Sequence, residues 1–177
     1  GPVGVPEGDR IVDRINHYTD LFDSHNFPVF FSRDWHPETT THFENGWPVH
    51  CIQNTPGAQF CAGLAMIENA IIISKGIRND YKSYSIFHGL IQSGIEVSIM
   101  LTVMGVKDLY ICGIPAEYCI RHSVVHALRR RYRVCLLADA VKGFREESAR
   151  KAIEEMEQSG AVLRSERTVE THIGEMR

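Results

Sequence analysis

The chain has 177 residues, of which 44% are apolar and 23% charged, with a formal net charge of −3. That is enough for one domain with a full core, expected over residues 1–177, and it offers no basic field of the kind nucleic acid requires. No apolar run is long enough to span a bilayer and no signal peptide is visible; five cysteines, an odd number used as reduced thiols, give a cytoplasmic expectation and leave homo-oligomer formation open.

Residues 1–8 read as loop. Asp9 is placed to cap a helix running to about Phe22, with Ile11, Ile15 and Tyr18 or Thr19 on one face. A buried strand is predicted over Pro28–Ser32, followed by the long segment DWHPETTTHFENGWPVHC, Asp34 to Cys51. A second loop covers Asn54–Phe60, and the strand AIIIS spans Ala70–Ser74, ending at Lys75-Gly76. Ile77–Gly89 reads as a polar and aromatic loop holding Tyr81, Tyr84 and Phe87. A helix over Ile95–Met104 stops at Gly105. The strand DLYICGI, Asp108–Ile114, leads into a helix over Tyr118–Arg130, whose arginine-rich end suits the negative helix pole. Arg133–Asp139 is a strand, Glu146–Gln158 an amphipathic helix, Ala161–Ser165 a last strand and Val169–Met176 a terminal helix. Strands alternating with helices predict an α/β fold with a parallel sheet covered on both faces. Only five strands can be counted, and the expected opening strand is absent.

Four ligand-type side chains fall in one stretch after a strand: Asp34, His36, His42 and His50. Strand ends are where open α/β sheets bind ligands. Three imidazoles and a carboxylate suit zinc, iron, manganese or cobalt better than calcium or magnesium. Cys119, in GIPAEYCI, sits where a helix start could lower its pKa and where backbone N–H groups could hold an oxyanion. Taken alone it divides evenly between a nucleophile and an inert core thiol. Lys75, at the end of a different strand, favours the nucleophile, because three strand ends then meet on one edge.

These motifs make the sequence similar to the nicotinamidases of the isochorismatase-like cysteine hydrolase superfamily. The matching segments are DWH and HF (Asp34, His36, His42), WPVHC (Trp47–Cys51), TPGA (Thr55–Ala58), KG (Lys75, Gly76), YSIF (Tyr84–Phe87) and GIPAEYC (Gly113–Cys119). The resemblance implies a three-layer α/β/α sandwich with a mainly parallel, six-stranded doubly wound sheet. It implies hydrolysis of nicotinamide, and often pyrazinamide, with Cys119 as nucleophile and Lys75 as the triad lysine. Asp34, His36 and His50 match metal ligands, and His42 a further one. Zinc is the first choice, with iron or manganese as alternatives. Trp47 and Tyr84 match aromatics flanking the substrate ring, and a cis peptide is implied at Ile114–Pro115. In two respects the sequence departs from the pattern. The triad Asp belongs to a first strand that is missing, so the domain is expected to be N-terminally incomplete; Asp9 and Asp13 are poor substitutes. Pro115 has no N–H for an oxyanion hole, which leaves Cys119 and Ala116 as expected donors. Competing readings are another carbamoyl or ureido amidase of the superfamily and a catalytically dead small-molecule binding homologue.

Overall fold

The computed structural model describes residues 1–78 and 83–175. The chain enters through a 3-10 turn, Gly8–Ile11, and continues as helix α1, Val12–Ser24. Asp9 therefore lies inside the first turn rather than capping it, and the Glu7 side chain at the cap position does not cap the turn. Strand β1 is Phe30–Asp34 and strand β2 is Ile71–Lys75. They pair in parallel, Phe30 with Ile71 through Asp34 with Lys75, and this ladder carries each strand past its apolar core to the charged residue at its end. Between them lies the short helix α2, Thr41–Glu44. Strand β3, Leu90–Ile91, joins β2 antiparallel. Helix α3 is Val97–Val103, strand β4 Asp108–Gly113 and helix α4 Arg121–Arg129. Strand β5, Arg133–Val141, lies between β4 and strand β6, Val162–Arg164, both parallel to it. Helices α5, Glu146–Gln158, and α6, Glu166–Glu175, complete the order.

The architecture is α/β with parallel sheets and helices. The six strands form two three-stranded sheets, β1-β2-β3 and β4-β5-β6, rather than one continuous sheet. No ladder joins β1 to β4 among the described residues.

Strand β5 shows how the layers form. Successive side chains on a strand face opposite ways. Leu136 packs with Val97 and Leu101 of α3, Val124 of α4 and Met156 of α5. Leu137, its neighbour, packs with Tyr18 of α1 and with Val169 and Ile173 of α6. The apolar positions Ala149, Ala152, Ile153 and Met156 recur at helical spacing, which turns one face of α5 onto the sheet. A large side chain buried as fully as Leu136 or Met156 contributes about 1.5–3 kcal/mol. The parallel ladders bring the ends of β1 and β2 to one edge, and Cys119, after β4, meets Lys75 there.

Candidate active site

Lys75 is buried, at 3% exposure, and its ammonium donates to Asp34 Oδ1 and, at 3.2 Å, to Cys119 Sγ. Burial alone would lower the pKa of such an ammonium, but the opposite charges of Asp34 and Cys119 raise it above the ordinary lysine value. Burial would raise the Asp34 carboxyl, and pairing with Lys75 overrides that and holds it low. For Cys119 the balance goes the other way. Burial pushes the thiol up, and Lys75 pulls against it without cancelling it. The lowered pKa expected from a helix start is not found, because the sulfur sits behind protein rather than in water.

Cys119 belongs to a π-helical turn, Ala116–Ile120, inserted between β4 and α4 where an ordinary helix start was expected. Single π turns often mark functional positions. The turn follows a cis peptide at Ile114–Pro115, as the resemblance implied. Both Tyr118 N–H and Ile120 N–H donate to the Pro115 carbonyl, each at 3.3 Å. The expected oxyanion role of Ala116 does not fit: its N–H donates to the Lys142 carbonyl at 2.9 Å and is already used. The Cys119 backbone N–H favours charge on its own sulfur.

His36, His42 and His50 gather so that one ring nitrogen of each lies within 4.8 Å of the others. Their rings pack at 4.7, 5.0 and 5.2 Å between centroids. The hydrogen bonds fix which nitrogen is free. A carbonyl oxygen only accepts, so His36 Nδ1, 3.2 Å from the Gly76 carbonyl, carries the hydrogen, as does His50 Nδ1, 2.6 Å from that of Pro48. The Nε2 atoms of both rings are left with a lone pair. His36 Nε2 is buried without any hydrogen-bond partner. Burial, with His36 and His50 nearby, pushes the His42 pKa down to about 4, so the ring is neutral near neutral pH. Three ring nitrogens gathered within 4.8 Å of one another, with the His36 and His50 rings anchored through Nδ1 on carbonyls, fit a divalent transition metal. Asp34 stands outside this three-residue group, paired with Lys75, although His36 and His50 are close enough to favour its charge.

Local structure holds the cluster. Thr40 caps α2, its hydroxyl accepting from the His42 N–H at 3.2 Å. Gly76 has φ +68°, and a Cβ there would lie 2.3 Å from His36 Cε1, so only glycine leaves room for the ring.

An aromatic wall stands beside the histidines. Trp47 stacks on His42 with centroids 5.6 Å apart, and its Nε1 donates to the Tyr84 hydroxyl at 2.9 Å. The structure adds residues that sequence reasoning did not single out. Tyr118 meets Trp47 edge-on at 5.0 Å, and Phe144 lies 6.1 Å from Tyr118 and 6.5 Å from Trp47. Phe144 follows the end of β5, so the rule that strand ends build sites could have found it. Tyr81 lies outside the described residues.

The site thus brings together a buried lysine between a carboxylate and a thiol, beside a histidine cluster at a strand-end edge. The model of the Isochorismatase domain matches residues 1–168. The chain belongs to the isochorismatase family. The nicotinamidase of Escherichia coli is 30% identical over 92% of this chain and 86% of its own length. Among solved structures, the pyrazinamidase of Pyrococcus horikoshii in complex with zinc is 40% identical, with a TM-score of 0.86 over 94% of this chain and 90% of that one. PnC1 of L. infantum in complex with nicotinate is 27% identical, with a TM-score of 0.78 over 93% and 84%. Among the described residues no helix is long and apolar enough to cross a membrane.

Proposed function

We propose that this chain hydrolyses nicotinamide, and with it pyrazinamide, to the carboxylate and ammonia through a cysteine thioester. The chain is an amidase of the nicotinamidase type, acting on a carboxamide. The observation that carries the mechanism is the 3.2 Å contact from Lys75 Nζ to Cys119 Sγ. It supports a thiolate–ammonium pair as the reactive form. The sulfur attacks the carboxamide carbon and a C–S bond forms. The oxyanion faces the Cys119 N–H, the donor left after Pro115 and Ala116 are excluded. The C–N bond then breaks, and Lys75 gives a proton to the departing nitrogen, so ammonia leaves. Water cleaves the thioester, releasing the acid; its second proton returns to Lys75 and the thiolate is restored.

His36, His42 and His50 would hold the metal, zinc first and iron or manganese as alternatives, and Asp34 is retained as a fourth ligand on its proximity to His36 and His50. When bound, such an ion supplies a Lewis-acid anchor for a pyridine or pyrazine nitrogen. Trp47, Tyr84, Tyr118 and Phe144 supply flat walls for the ring. The same reading takes residues 1–177 as one domain whose two sheets are halves of a single α/β/α layer. Ammonia release from nicotinamide, with and without a chelator, is the test. Turnover that needs both metal and Cys119 is expected; a protein inert toward nicotinamide would sink the reading.

A further inference from the structure

Glu117 lies two residues before Cys119, in the same π turn. An acidic side chain at such a place would ordinarily face water beside the helix start. Here its carboxylate crosses to the connection between β5 and α5. Oε1 accepts from the Phe144 N–H at 3.0 Å, the Arg145 N–H at 3.5 Å and the Ser148 hydroxyl at 2.6 Å, and Oε2 accepts from the Phe144 N–H at 3.3 Å. Helix α5 has no side-chain cap of its own at Arg145. N–H groups at and just before its start, of the kind a helix leaves unpaired, are met instead by a residue of the nucleophile turn. The main chain adds two more ties, Ala116 N–H to the Lys142 carbonyl at 2.9 Å and Lys142 N–H to the Gly113 carbonyl at 3.3 Å. Gly143 leaves space for the carboxylate: a Cβ there would lie 2.5 Å from Glu117 Oε2 and 2.7 Å from Ala149 Cβ. Beyond this staple the Phe144 ring packs against Tyr118 and Trp47 in the aromatic wall.

We infer that Glu117 is a positioning residue, one that holds the Cys119 sulfur in register with the aromatic wall through the Phe144 backbone. This rests on the amidase reading above. One carboxylate thus ties the attacking atom to the surface that orients the substrate ring. Displacement of either by about 1 Å would cost on the order of 10²-fold in rate.

The test compares zinc-loaded wild type, Glu117→Gln and Gly143→Ala, assayed below their unfolding temperatures. Two rates are read: kcat/KM for nicotinamide, and alkylation of Cys119 by iodoacetamide, followed by mass spectrometry. Iodoacetamide has no ring, so it reports the sulfur alone. The expected result is a fall in kcat/KM of about 10- to 100-fold in both variants, with alkylation changed by much less. Unchanged turnover in both variants, beside an active wild type, overturns the inference. So does an equal loss of turnover and alkylation, which marks a merely structural role. Should either variant fail to fold, Ser148→Ala, which removes the shortest of these bonds, is expected to give the same split in smaller measure, and no split there overturns the inference too. A wild type with no turnover overturns the amidase reading itself.

Discussion

Asp34 and Lys75 are register partners at the ends of two neighbouring parallel strands, and the lysine ammonium that donates to the carboxylate also touches Cys119 Sγ at 3.2 Å. Lys75→Met should therefore act on the sulfur and on the carboxylate. Burial already holds the thiol above its ordinary pKa, with Lys75 opposing it. Without the cation, the pH at which Cys119 alkylates should move higher, and turnover near neutral pH should fall by about 10²-fold or more. Asp34 loses its partner, at a cost of about 3–5 kcal/mol by analogy with broken buried pairs. Alkylation against pH and urea unfolding read the two effects separately.

Removal of metal ligands should separate metal from nucleophile. His36→Ala and His50→Ala are expected to fall well below one zinc per chain, because each removes a nitrogen from the converging set. Asp34→Ala tests its retention as a ligand: a drop in zinc content is expected, whereas full occupancy would assign Asp34 to Lys75 alone. Cys119→Ala should keep its metal and lose hydrolysis, since the sulfur is not in the cluster. Metal analysis by mass spectrometry, beside ammonia release, checks all four.

Gly76→Ala changes no ligand. Its Cβ would nonetheless lie 2.3 Å from His36 Cε1 and 2.5 Å from Nδ1, in a backbone with φ +68°. The ring must move, and zinc affinity should fall by about 10- to 100-fold, the range seen when an outer partner of a metal ligand is lost. Competition with a chromophoric chelator measures it.

Glu117 gives a pH-dependent contribution to stability. Burial would raise its carboxyl, but the bonds from Ser148, Phe144 and Arg145 hold it below the usual range. A carboxyl depressed in the folded state contributes stability that is present above its unfolded pKa of about 4.3 and is lost as the pH falls through the folded value. The stability gap between wild type and Glu117→Gln should thus be constant near neutral pH and close on acidification below that. Urea midpoints measured across this window decide it; a gap that does not change with pH would show the charge to be irrelevant.

The meeting of Asp34, Lys75 and Cys119 is more legible in the sequence than the strand boundaries are. Asp34, Lys75 and Cys119 were legible because strand ends in an α/β alternation are marked by apolar runs. Apolarity, however, does not set where pairing stops. The first strand was expected over Pro28–Ser32, and the ladder with β2 shifts it to Phe30–Asp34. β3 escaped notice because two residues carry no pattern. The π turn at Cys119 was read as ordinary helix, since the two differ only in which carbonyl is chosen. Glu117 was passed over because its partners lie 27 to 31 residues away, beyond any local spacing rule.

Two adjoining residues, Lys75 and Gly76, carry more than their share. The Lys75 carbonyl accepts from the Trp35 N–H at 2.8 Å, its side chain holds the sulfur, and the next carbonyl, that of Gly76, accepts from His36 Nδ1 at 3.2 Å. The cation that touches the sulfur and the acceptor that holds His36 thus belong to adjoining residues at the end of one strand. A shift of that strand end would carry both contacts with it, so the gap between the sulfur and His36 behaves as a caliper set where β2 stops.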